Sequence, residues 1–298
     1  MRPWGRLLCG LWALLLAAPV ALAQGMTRPS LEKIRDYGAI YVGHREASIP
    51  FSYMVGGEAV GYSMDLCDRI VEAVKTRLGD PALKVVRVPV TSSSRLLMLM
   101  TGVIDLECGS TTNTRIRQQS VAFGLTSFVS GVKALTRRDT GIERIIDLNG
   151  KVVVTTAGTT TERVVRTVMA TRNTSVRAKS ARTHPESLSM VLSRQADAFV
   201  LDDALLAGLL AMSPDAARLK LLEENFGFEP YGLALRKDDP EFKQLVDDTL
   251  RAMMKSGEVE KLYAKWFLSP IPPNQVNLQI PMSNMLRELL ANPNDTGI

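Results

Sequence analysis

Short β-branched runs and amphipathic helical repeats alternate along most of this chain, and no other feature narrows the fold as far. Residues 39–43 (AIYVG) read as a short buried strand. Leu66, Ile70, Val74 and Leu78 then recur every four residues, one apolar face of a helix that Gly79 ends. Residues 84–90 (KVVRVPV) alternate as a strand does. Ser92 offers an N-cap to the helix RLLMLMTG, with Arg95 in its first turn, and residues 105–108 form another strand. A second series follows: strand 151–155, a capping box of Thr159 with Glu162 for a helix through Met169, strand 198–201, and a helix opened by Asp202 and Asp203. Beyond Tyr231, GLALR is a further strand, and Asp239-Pro240 opens a helix whose apolar positions include Phe242, Leu245, Val246 and Leu250. Such alternation implies an α/β architecture with largely parallel sheets.

The chain has 298 residues, enough for two domains, yet no low-complexity linker divides it. Extended strands are therefore expected to join two lobes, crossing near residues 127–133 and 230–233. The tail after Pro270 reads as irregular, with a short helix in SNMLRELLA.

The first residues read as an export leader. Arg2 and Arg6 precede an apolar run at residues 7–20, and Ala21-Leu22-Ala23 is a small-x-small cleavage site, so Gln24 is the expected mature start. The run is shorter than the ~20 residues of a transmembrane helix. Outside the cytoplasm Cys67 and Cys108 are free to pair, and the sequence leaves that pairing open. The formal net charge is +5, with charges interspersed rather than in basic runs, which gives nucleic-acid binding no support. His44 and His184 are the two histidines, and neither C-x-x-C nor H-E-x-x-H occurs, so no metal site is expected. The G-x-S-x-G, Walker A and G-x-G-x-x-G patterns are absent too, which leaves no cofactor or catalytic signature.

What remains is a repeated arrangement of hydroxyls after strands, with arginines close behind: GHREAS (43–48), TSSSR (91–95), GSTTNTRIRQ (109–118) and AGTTTE (157–162). Singly, such arginines are mostly solvated and such hydroxyls mostly caps. Together they matter, because ligands of open α/β sheets bind beyond the carboxyl ends of strands, where helix N-termini present free N–H groups to anions. Arg45, Arg95 and Arg117, with Ser110 and Thr112, describe a pocket for several carboxylates, which guanidinium groups hold by two hydrogen bonds. Asp202 and Asp203 close the strand DAFVL. They either cap the next helix or bind an ammonium, and an ammonium site beside carboxylate sites means an amino acid. His184, in ARTHPES, reads by itself as an exposed loop histidine.

The segments VGHREASIPFSY, GYSMDLC, PVTSSSR, ECGSTTNTRIRQ, TTAGTTTE, DDALLAG and LRKDDPEFK resemble the periplasmic glutamate/aspartate-binding proteins of ATP-driven amino-acid importers, in order over residues 31–273. The resemblance implies a two-lobed α/β fold, the type II periplasmic-binding-protein fold, with two crossing strands as hinge and the ligand in the interlobe cleft. Residues 24–130 and 232–298 would form one lobe and 131–231 the other. It implies that Arg117 and Thr112 take the α-carboxylate, and Ser110 and Asp202 the α-ammonium. Arg45, Ser92, Arg95 and His184 would take the side-chain carboxylate, and Thr160 would add a contact from the second lobe. Thr161 stands where the family often has serine. The implied function is a monomeric, non-enzymatic periplasmic component that delivers L-glutamate or L-aspartate to an inner-membrane ABC permease, without cofactor. Alternatives are a binder of glutamine or asparagine, or a small-carboxylate dehydratase with His184 as general acid or base. Three arginines set against Asp202 would leave two positive charges for two substrate carboxylates.

Overall fold

The computed structural model describes residues 28–298, and the expected leader with its cleavage site lies outside the described residues. Helix α1 (Ser30–Tyr37) leads into strand β1 (Ala39–His44), followed by a small ribbon of β2 (Ala47–Ser48), β3 (Ser52–Val55) and β4 (Glu58–Val60). Helix α2 (Tyr62–Leu78) buries Tyr62, Leu66, Ile70 and Val74 along one face, and left-handed Gly79 closes it. Strand β5 (Lys84–Pro89), helix α3 (Arg95–Met100), and strands β6 (Leu106–Glu107) and β7 (Val121–Phe123) precede β8 (Phe128–Arg137), the first crossing strand. Next come β9 (Val152–Thr156), α4 (Thr161–Thr171), β10 (Arg177–Ala181), α5 (His184–Leu192), β11 (Ala198–Asp202), α6 (Asp203–Met212) and β12 (Leu219–Leu221). Strand β13 (Gly227–Tyr231) returns, and β14 (Ala234–Arg236), α7 (Pro240–Lys255) and α8 (Glu258–Phe267) complete the first lobe's core.

The first sheet has the order β5-β1-β6-β14-β7 and the second β10-β9-β11-β8-β12, with β13 also on β8. Both sheets are mixed, which corrects the expectation of largely parallel ones. Strands β1, β5 and β6 are parallel, as are β9, β10 and β11, whereas β14 and β8 run against their neighbours. The antiparallel strands are those that follow a crossing. They enter a sheet from the other lobe, and hydrophobic periodicity carries no information about direction.

The crossing strands pair with each other, from Phe128↔Tyr231 to Val132↔Gly227. An aromatic cluster holds the base of this ribbon to the first lobe. Phe51 lies 4.8 Å from Phe128 and 5.1 Å from Tyr231 between ring centroids, and Phe128 stacks on Phe267 at 4.9 Å. Each such pair contributes about 0.5–1.5 kcal/mol beyond its buried area. A separate apolar core, including Val153, Val165, Met169, Val200 and Leu148, sits in the second lobe.

Cys67 of α2 and Cys108, just beyond β6, form a disulfide with Cα atoms 6.2 Å apart. A crosslink of this kind stabilises by about 2–4 kcal/mol through the unfolded chain. It also ties α2 to the start of the segment carrying Ser110, Thr112 and Arg117. The tail is more ordered than its sequence suggests. Strands β15 (Pro270–Ile271) and β16 (Val276–Asn277) pair, and Ser283 caps helix α9 (Asn284–Ala291).

Candidate functional site

Six parallel strands, β1, β5, β6, β9, β10 and β11, end at the gap between the sheets, and the residues just beyond those ends converge there. Arg45, Ser92, Arg95, Ser110, Thr112, Thr160, His184 and Asp202 line one small cavity together with Thr159 and Leu205. Arg117 stands beside it, partly exposed, donating from Nη1 to the Thr112 carbonyl at 2.9 Å and from Nη2 to the Gly158 carbonyl at 3.0 Å.

What marks the cavity is unused hydrogen-bonding capacity. Arg45 Nε and Nη1, Arg95 Nε, Ser92 Oγ, His184 Nε2 and Asp202 Oδ1 are buried and have no partner among the described residues. Buried polar groups are normally satisfied, so such a cluster points to a ligand. Arg95 donates from Nη1 to the Ser110 carbonyl at 3.2 Å, which orients its remaining N–H groups. Burial, and then the charge of Arg95, push the Arg45 guanidinium down to about 9 and that of Arg117 to about 10. Arg45 and Arg117 stay charged at neutral pH, each of them repelled by Arg95.

Several local expectations need correction. Ser92 is not the cap of α3. Ser94 holds that position, and its hydroxyl accepts from the Thr91 N–H at 3.0 Å instead, so the Ser92 hydroxyl is left for the cavity. The capping box at Thr159 does not form. The Thr159 hydroxyl donates to the Thr156 carbonyl at 2.6 Å and lies 2.6 Å from Thr161 Oγ1, so α4 begins at Thr161. That contact occupies Thr161 and leaves Thr159 and Thr160 on the cavity. His184 is no loop residue but the buried first residue of α5. Thr183 accepts from the Glu186 N–H at 3.2 Å, and Pro185 presets the first turn. The ring's Nδ1 lies 2.9 Å from Thr156 Oγ1. Burial, then Arg45 and Arg95, hold the imidazole well below its ordinary pKa, so it is neutral.

The two aspartates have different tasks. Asp203 Oδ1 accepts from the Ser130 hydroxyl at 2.7 Å and the Gly131 N–H at 3.1 Å, fastening α6 to the first crossing strand. Asp202 faces the cavity. Its Oδ2 accepts from the Tyr231 hydroxyl. Burial and the neighbouring Glu229 raise its carboxyl well above the usual range, and an ammonium would reverse that shift.

Two acidic residues escaped the sequence reading. Glu107 is fully buried, accepts from the Thr111 hydroxyl at 2.6 Å, and lies 3.9 Å from Arg95. Glu229, on the second crossing strand, accepts from the Thr112 hydroxyl. The simple count of three arginines against Asp202 therefore fails. Glu229 and Tyr231 share one face of β13 by their spacing of two, which is the one sequence signal that linked them.

Two glycines among the described residues bring the main chain of one lobe against that of the other. Gly158 has φ +79°, and a Cβ there would lie 2.6 Å from the Ser92 carbonyl. A Cβ on Gly208 of α6 would lie 2.3 Å from the Ile49 oxygen.

Comparison with known proteins agrees with this architecture. The chain is 44% identical over 285 residues to the L-glutamate/L-aspartate-binding protein of Pseudomonas aeruginosa, covering 95% of this chain and 94% of that one. It is 42% identical over 283 residues to the glutamate/aspartate import solute-binding protein of Escherichia coli, covering 95% and 92%. A solved variant of the arginine-binding protein of T. maritima superposes with a TM-score of 0.69 at 27% identity, over 80% of this chain and 98% of that one. The bacterial extracellular solute-binding proteins, family 3, match residues 40–269, and the chain belongs to that family.

Proposed function

We propose that this protein captures L-glutamate or L-aspartate outside the cytoplasmic membrane and delivers it to the permease of an ATP-driven importer. The observation that carries the reading is the pair of buried arginines, Arg45 and Arg95, whose free N–H groups share one cavity with the free carboxylate oxygen of Asp202. Arg117 and Thr112 hold the α-carboxylate, and Asp202 and Ser110 the α-ammonium. Arg45, Arg95, Ser92 and His184 hold the side-chain carboxylate, His184 as the tautomer that donates from Nε2, and Thr160 closes the site from the second lobe. Residues 24–130 with 232–298 form one lobe and 131–231 the other, hinged at the crossing ribbon. An amide in place of the second carboxylate leaves two guanidinium groups poorly satisfied, which is the source of discrimination.

Calorimetry on protein stripped of ligand tests the reading. Glutamate or aspartate should bind more tightly than glutamine and, on the same sample, should reduce the radius of gyration as the lobes close. Tighter binding of glutamine, or no binding of either acidic amino acid, would sink the proposal.

The protein acts as a monomer in the periplasm, with its leader removed after Ala23. The family is extracellular, and among the described residues no helix is long and apolar enough to cross a membrane. Sequencing the exported protein should give Gln24 first, and an intact leader would count against this.

A further inference from the structure

The segment that carries Ser110, Thr112 and Arg117 belongs to neither sheet. It runs from the end of β6 to the start of β7, and its one ladder contact is an isolated bridge from Thr112 to Tyr231. On that side the Asn113 N–H donates to the Pro230 carbonyl at 2.8 Å, and the Gly232 N–H to the Thr111 carbonyl at 3.2 Å. Its other side is covered by the far end of the chain. The Arg115 N–H donates to the Ile298 oxygen at 2.9 Å, and the Ile298 N–H to the Asn113 carbonyl at 3.2 Å. Asn113 Nδ2 and Gln118 Nε2 both donate to the Asp295 carbonyl, at 2.8 and 3.0 Å. The Thr126 N–H, just before the first crossing strand, donates to the Asn294 carbonyl at 2.9 Å.

We propose that residues 294–298 are a strap that positions the α-carboxylate clamp, so that affinity for every amino-acid ligand depends on a segment that touches none of them. The inference rests on the ligand reading above.

The strap is itself anchored. Helix α9 packs on α7 and on β8, with Leu286 and Leu290 buried, and Lys243 of α7 lies 2.9 Å from the Asp295 carboxylate. The fit is close at Gly297, where a Cβ would lie 3.0 Å from Arg115 N and Asn113 Oδ1. The strap also lies beyond residue 269, where the match to the family ends. Removing it replaces fixed backbone partners of Asn113 and Arg115 with water. Arg117, two residues on, then has to be ordered by the ligand at the ligand's expense.

The experiment compares the intact chain with one lacking residues 294–298, both stripped of ligand, by calorimetry at a temperature where circular dichroism shows both folded. Binding by the intact chain reports on the ligand reading, and the ratio of the two Kd values reports on the strap. Glutamate and aspartate should weaken by the same factor, about tenfold or more, because the clamp serves the group they share. A tail with a purely structural role would lower the melting temperature and leave Kd unchanged, and unchanged Kd in the folded, shortened chain overturns the proposal. If the shortened chain does not fold, Gly297→Val displaces the strap while keeping α9. It should raise Kd and speed amide exchange at residues 113–118. Wild-type affinity, or unchanged exchange, in that variant also overturns it.

Discussion

Replacing Arg117 with alanine is expected to weaken glutamate, aspartate and glutamine alike. Its guanidinium is held by the Thr112 carbonyl on one side and the Gly158 carbonyl on the other, so it bridges the lobes, at the point where the proposed function puts the amino-acid end of the ligand. Truncating one partner of a buried, hydrogen-bonded charge pair costs about 2–5 kcal/mol. Arg117 is only partly buried, so the loss should fall at the lower end, about 2–3 kcal/mol or roughly 30- to 150-fold in Kd. Calorimetry with the three ligands is the measurement. A loss confined to the acidic ligands would move Arg117 to the side-chain end of the cavity and overturn the assignment.

Arg95→Ala should behave differently. Its side chain is 2% exposed and its Nε has no partner among the described residues, so a carboxylate bound there would be fully desolvated. Glutamate should lose toward the upper end of the range, about 3–5 kcal/mol or roughly 150- to 5000-fold. Glutamine should lose less, and the preference for glutamate over glutamine should narrow. The variant also removes the cation nearest the buried Glu107, which lies 3.9 Å away. A lower melting temperature is therefore expected as well, since a buried carboxylate is left uncompensated. If Arg95→Ala keeps the full preference for glutamate, acidic selectivity resides in Arg45 or His184 instead.

The cavity was partly legible because most of its residues sit immediately after strands whose apolar runs are plain in the sequence. Arg45, Ser92, Ser110 and Asp202 each follow such a run, and strand ends of a parallel layer gather at one edge. Glu107, Glu229 and Tyr231 were not legible as site residues. Their burial comes from the meeting of distant segments, and nothing local sets a buried glutamate apart from an exposed one. Helix starts show the same limit. The pattern Thr-x-x-Glu occurs at Thr159 and at Thr183. Only the second forms a cap, because Pro185 presets the first turn, whereas the Thr159 hydroxyl is taken by the Thr156 carbonyl. Strand direction was illegible for a different reason, since a chain entering from another lobe reverses its direction without changing its composition.

The glycine contacts between the lobes act as a gauge. Main chain meets main chain at Gly158 and Ser92, and again at Gly208 and Ile49, with no room for a Cβ at either place. Side chains can adjust a spacing by changing rotamer, but backbone atoms cannot. The spacing of the lobes in this structure is thus set by backbone at two points. On the ligand reading proposed above, the one-methylene difference between aspartate and glutamate falls to side chains such as Arg45 and Arg95, which can change rotamer, and not to the spacing of the lobes.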